Sequence, residues 1–252
     1  MLHLPNFLNQ KMKTKPKYFI PNILTLTNMF LGFLSIGLIL NGQPLKAGIL
    51  IIIASILDAF DGKIARLLGI ESRFGVEFDS MADTISFCVV PSILIYSLYI
   101  DGLHPLIGSA ISFLPLMFGT IRLAKFNIDQ ELGKLKNYTI GLTTPISTIT
   151  IFAYLFFNYE LYENYGDPRT ALILVSLLCF LMVSPVHFYK FPLLSYKSGR
   201  TNSIVLTFFI FSALGIIFYR GIFLFPITLL FISWSIIFWI LHLNKNQIEK
   251  KN

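Results

Sequence analysis

Apolar residues fill most of this chain in long runs, and the runs are separated by short polar or basic stretches. They fall at about 22–41, 45–69, 79–100, 104–126, 141–158, 168–186, 203–219 and 222–243. Each is close to the roughly 20 residues that an α-helix needs to cross a bilayer. Turn-forming residues separate several of them, at Asn41-Gly42-Gln43-Pro44, Asp101-Gly102 and Gly166-Asp167-Pro168. The pattern predicts an all-α fold, a polytopic membrane helical bundle of about eight spans. Six of these suffice for a core over residues 21–186, and residues 187–252 add carboxy-terminal spans and a basic tail. Residues 1–20 mix Lys11, Lys13, Lys15 and Lys17 with Leu, Phe, Met and Tyr. They read as a basic interfacial helix leading into the first span.

Composition agrees. Of 252 residues, 55% are hydrophobic and 13% charged, about half the charged share of a soluble domain. No large soluble domain fits between the runs. The net charge of +7 is no sign of nucleic acid here, because the basic residues sit between apolar runs. With a cytoplasmic amino terminus and eight spans, every Lys and Arg except Lys46, Arg169 and Arg220 falls on the inner side. This is the bias expected of a membrane protein. It predicts a multi-pass inner-membrane protein with both termini cytoplasmic. Cys88 and Cys179 lie inside separate apolar runs and read as buried free thiols. His3, His104, His187 and His242 are scattered and read as loop or interfacial residues.

Acids inside a span are costly and face a cavity, a partner or a metal. The second run carries Asp58, Asp61, Gly62, Ala65 and Arg66, spaced so that all share one helical face. Gly62 and Ala65 remove bulk from that face, and Arg66 adds a cation suited to phosphate. A short loop leads to Asp79 and Asp83, again one turn apart. Antiparallel packing of the two helices would bring four carboxylates together, where a divalent cation compensates their repulsion. Oxygen ligands of this kind suit magnesium, manganese or calcium. Acid–base pairs at a helix end are the simpler reading for any one Asp, but not for four at these spacings.

Residues 58–83 resemble the signature of the CDP-alcohol phosphatidyltransferase family, Asp-x2-Asp-Gly-x2-Ala-Arg-x8-Gly-x3-Asp-x3-Asp, at every fixed position. The resemblance implies Asp58, Asp61, Asp79 and Asp83 as ligands of two ions, Mg or Mn, with Asp83 as general base on the acceptor hydroxyl. It implies contacts to CDP-diacylglycerol from Gly62, Ala65, Arg66, Ser72 and Gly75, and from Asn22 and Thr25 in the first span. It also implies a homodimer and a site open to the cytoplasm.

Further blocks, Phe74–Phe87, Arg122–Asn127 and Gly141–Pro145, resemble the serine-using members of that family. Thr143 stands where they carry Pro, and Cys88 where they carry Gly. The implied acceptor is L-serine, with phosphatidylserine and CMP as products. Serine's carboxylate needs a cation or donors, for which Arg122, Asn127 and Thr144 are candidates. Glycerol 3-phosphate or an inositol phosphate is the enzymatic alternative. A transporter is the alternative of another class, but its site would lie near the midplane of repeated halves, and no repeat is visible.

Overall fold

A computed structural model describes residues 19–67, 69, 72–131, 138–189 and 221–249. The expected interfacial helix over 1–20 and the expected span at 203–219 lie almost wholly outside these residues. In chain order the elements are α1 (Phe19–Leu40), α2 (Pro44–Leu67), α3 (Arg73–Asp83), a π-helical turn (Thr84–Val89), α4 (Val90–Leu98), α5 (Pro105–Glu131), β1 (Tyr138–Ile140), α6 (Thr144–Tyr162), α7 (Pro168–Val183), β2 (His187–Tyr189) and α8 (Leu224–Glu249).

Among the described residues, four segments are long and apolar enough to cross a membrane: Pro21–Leu40, Arg73–Leu98, Pro105–Gln130 and Leu224–Leu241. The expected count of eight is therefore met only in part. The reasons are compositional. Lys46, Asp58, Asp61, Lys63 and Arg66 lower the apolarity of α2, and α6 begins with a run of Thr and Ser. At 16 residues, α7 is about 24 Å long, short of a hydrocarbon core of about 30 Å.

The packing is that of a membrane bundle turned polar inside. Along α1 the buried positions are Pro21, Thr25, Asn28, Gly32, Ser35 and Ile39, alternating four and three residues apart. That spacing makes one seam of a left-handed helix pair. Ile23, Leu26, Phe30, Phe33 and Leu40 point outward, where lipid can solvate them. A matching seam on α2 runs through Ala47, Ile51, Ala54, Asp58 and Asp61. The two helices turn at Asn41–Gln43 and pack along their length. Small residues set the close approaches. A Cβ on Gly32 would fall 2.4 Å from Ser86 Oγ and 2.9 Å from Ser86 Cα. One on Gly119 would fall 2.5 Å from Cys88 Sγ, so α5 presses its backbone against the thiol.

Polarity is segregated along the bundle axis. One end of the interior is apolar, built from Leu94, Ile95, Phe152, Leu155, Ala171, Val175 and Leu178. Tyr99 closes this end by donating to the Tyr165 carbonyl at 2.6 Å. The other end gathers the buried polar residues Thr25, Asn28, Asp61, Asp83, Ser86, Arg122, Thr144, Ser147 and Thr148.

The all-α expectation needs one correction. β1 and β2 pair antiparallel, with Thr139 opposite Phe188 and Ile140 opposite His187. His187, expected in a loop, thus lies in a strand and stacks on Tyr138 at 4.0 Å between ring centroids. The sheet continues into a hinge at Gly141, whose φ of +77° and whose missing Cβ, which would sit 2.1 Å from the Met182 carbonyl, admit no other residue. Three residues per strand leave too little alternation to read from sequence. Beyond the pair, α8 packs Phe231 near Phe188 and Phe225 against Tyr154. Cys88 and Cys179 are free and buried, as expected.

Candidate active site

Two helix ends build the site. α2 delivers Asp58 and Asp61 near its carboxy terminus, and α3 delivers Asp79 and Asp83. The chain enters α3 through Ser72, whose hydroxyl accepts from the Gly75 amide at 3.0 Å and caps the helix. Carboxylate oxygens of Asp58, Asp61 and Asp79 all lie within 4.8 Å of one another. Three like charges this close repel strongly in a low-dielectric interior. One Asp79 oxygen is also buried without a hydrogen-bond partner. A hard divalent cation answers both features, so the residues fit the ion that their chemistry implies.

Asp83 stands beside this triad rather than in it. It is 8% exposed and faces the charges of Asp58, Asp79 and Arg122. Asn28 Nδ2 reaches its Oδ1 at 3.5 Å. Immediately after Asp83 the helix widens into the π turn. Such turns free backbone carbonyls, and here side chains take them up. Thr148 donates to the Phe87 carbonyl at 2.7 Å. In return Ser86 of the turn donates to the Asn28 carbonyl at 3.0 Å. Asn28 therefore grips the turn with its backbone and Asp83 with its side chain.

The remaining expected residues divide. Thr25 is buried and donates to Asp61 Oδ2 at 2.8 Å, so it meets a carboxylate directly. Asn22 lies one turn earlier on α1 and is half-buried. Gly62 is half-buried on α2; the side chains of Ala65 and Arg66 fall outside the described residues. Arg122 is buried on α5 and donates from Nη1 to Thr144 Oγ1 at 3.5 Å. Asn127 is turned elsewhere: its amide donates to Ser80 Oγ at 2.9 Å and ties α5 to α3. Thr143 is the N-cap residue of α6 without a side-chain cap bond, followed closely by Pro145.

Sequence reading missed Asn28, Ser86, Ser147, Thr148 and the π turn. Asn28 was within reach, because it shares the α1 seam with Thr25 one turn away. The π turn had no signal, since its sequence, Thr-Ile-Ser-Phe-Cys-Val, is ordinary for a spanning helix.

A helical membrane bundle with converging acids at one end defines a class of polytopic membrane protein with an acidic site. The comparison with known proteins narrows that class. The chain belongs to the CDP-alcohol phosphatidyltransferase family, whose profile matches residues 18–244. It is 35% identical over 181 residues to a CDP-diacylglycerol–serine O-phosphatidyltransferase of Helicobacter pylori, covering 71% of this chain and 76% of that one. It is also 35% identical to the Bacillus subtilis protein of the same name, over 73% of this chain and 99% of the other. An archaetidylserine synthase of Methanothermobacter thermautotrophicus is 34% identical over 67% and 69%.

Proposed function

We propose that this protein transfers the phosphatidyl group of CDP-diacylglycerol to the hydroxyl of L-serine, giving phosphatidylserine and CMP. One observation carries the chemistry: the convergence of Asp58, Asp61 and Asp79, with Asp83 set beside them. The names of the relatives support the acceptor, and their similarity extends over most of the chain.

In the proposed reaction the serine oxygen forms a bond to the phosphorus that carries the diacylglycerol. The bond from that phosphorus to the CMP oxygen breaks, and CMP leaves with the electron pair. Asp83, buried and held by Asn28, takes the hydroxyl proton as general base. Two ions, Mg or Mn, held by Asp58, Asp61, Asp79 and Asp83, supply neutralisation of the diphosphate. Thr25 orients Asp61 by its hydrogen bond. Gly62, Ala65, Arg66, Ser72, Gly75 and Asn22 line the proposed nucleotide side, where glycine and alanine leave room for the diphosphate against the helix. The donor's acyl chains stay in lipid.

The basic segments on one side of the bundle support a cytoplasmic site and cytoplasmic termini in the inner membrane. The family resemblance supports a homodimer. Purified protein given CDP-diacylglycerol, Mn or Mg, and labelled serine is expected to release CMP in a serine-dependent way, and a chelator abolishes it. CMP release with glycerol 3-phosphate but not with serine would overturn the acceptor.

A further inference from the structure

Three polar atoms around Asp83 are buried and have no hydrogen-bond partner: Arg122 Nε, Ser147 Oγ and Asn28 Oδ1. Leaving a buried polar group unpaired is costly, and each such group calls for an explanation. These three come from α5, α6 and α1, which converge on the π turn. Arg122 is 9% exposed, Ser147 and Asn28 0%. Arg122 is also the sole Lys or Arg among the described residues in the buried interior.

Their polarity is not random. Arg122 already reaches Thr144, and Ser147 follows Thr144 by one turn on the same face of α6. The α5–α6 side therefore offers donors. On the α1 side, Asn28 spends its amide nitrogen on Asp83, which leaves its carbonyl oxygen as an acceptor. Asp83 lies between the two, since it faces Arg122 on one side and Asn28 on the other. A cation and a hydroxyl opposite an amide carbonyl, with a base between them, match a molecule that carries an anion, a cation and a hydroxyl.

We infer that the acceptor is read as a zwitterion, its carboxylate held by Arg122 and Ser147 and its ammonium by the Asn28 carbonyl, so that its hydroxyl falls to Asp83. The inference rests on the serine reading above and deepens it. Asn127 has no part in it, because Ser80 occupies its amide. Arg122 and Asn28 are then specificity-determining residues rather than general counter-charges. A counter-charge for Asp83 would affect every acceptor alike.

Three acceptors separate these roles: L-serine, serinol, which lacks the carboxylate, and glycerate, which carries a hydroxyl in place of the ammonium. A site built around paired polar groups is expected to prefer serine over either analogue by at least about 10³ in kcat/KM. Arg122→Gln is expected to reduce the serine-to-serinol preference about 100-fold while the serine-to-glycerate preference changes less than about threefold. Asn28→Ala is expected to do the reverse. Ser147→Ala, a small change at a position bonded to nothing, is expected to raise KM for serine about tenfold and to leave KM for CDP-diacylglycerol within about twofold. It carries the carboxylate arm if Arg122→Gln does not fold. Preferences that stay fixed, or that fall together in both variants, overturn the pocket. So does an unchanged serine KM in Ser147→Ala. A wild-type protein that forms CMP with another acceptor and not with serine overturns the serine reading itself, and this pocket with it.

Discussion

At the scale of single residues, the site works by dividing four similar carboxylates into different jobs. Asp58, Asp61 and Asp79 crowd together, whereas Asp83 is deeper and is held from α1. Asp83→Asn keeps the shape but cannot accept the hydroxyl proton. CMP formation is expected to fall about 10² to 10⁴-fold, the usual contribution of a positioned base. Normal turnover in this variant would remove Asp83 as the base. Thr25 acts on Asp61 alone, through the 2.8 Å bond to its Oδ2. Residues that hold a ligand in place typically change metal affinity 10–100-fold, so Thr25→Val is expected to raise the Mn concentration for half-maximal rate by about tenfold. Because Asp83 is untouched, the rate at saturating Mn should stay near wild type.

At the scale of elements, the π turn is held from two sides, by Thr148 on α6 and by Asn28 on α1. It determines where Asp83 sits relative to the triad. The close approach of α1 depends on Gly32, since any Cβ there meets the backbone of Ser86. Backbone cannot swing aside as a long side chain can. Gly32→Ala is expected to cost about 1–3 kcal/mol through overpacking and to lower activity by displacing the turn. Gly37→Ala, on the same helix with nothing within 4 Å of the added Cβ, provides the control. Thermal melting in detergent with parallel CMP assays separates the two, and equal effects would show that the contact is unimportant. In α5, Pro115 removes a helix bond, and the Leu116 amide donates to Ser92 Oγ at 3.1 Å instead. A defect in one helix thus becomes a tether to the next.

At the scale of the whole molecule, the bundle is apolar outside, polar at one interior end and apolar at the other. The polar end holds the acids, so the orientation of the bundle decides which compartment supplies the acceptor. Lys46 begins α2, whereas Lys125 lies toward the opposite end, near the site, and both are exposed. Cys88 and Cys179 are buried and give little background to a thiol reagent. In intact cells an impermeant maleimide is expected to label Lys46→Cys and not Lys125→Cys; permeabilisation should expose the second. The opposite pattern would invert the topology and move the site to the other face.

The sequence alone determined the class of chain and the chemistry of its acids. Long apolar runs require a membrane or an interior, and helical spacing puts Asp58 with Asp61 and Asp79 with Asp83 regardless of what surrounds them. Those are local properties, governed by period and by the cost of charge in an apolar run. The tertiary structure decided what depends on contacts between distant segments. It put Asn28 beside Asp83 across 55 positions and turned Asn127 to Ser80 across 47. It joined β1 to β2 and wound the helix after Asp83 into a π turn that no residue there announces. It also left Arg122, Ser147 and Asn28 with unpaired atoms around one base. Which polar side chains meet in a bundle interior depends on how helices rotate and how closely their small residues let them approach. No periodicity along a single chain records that.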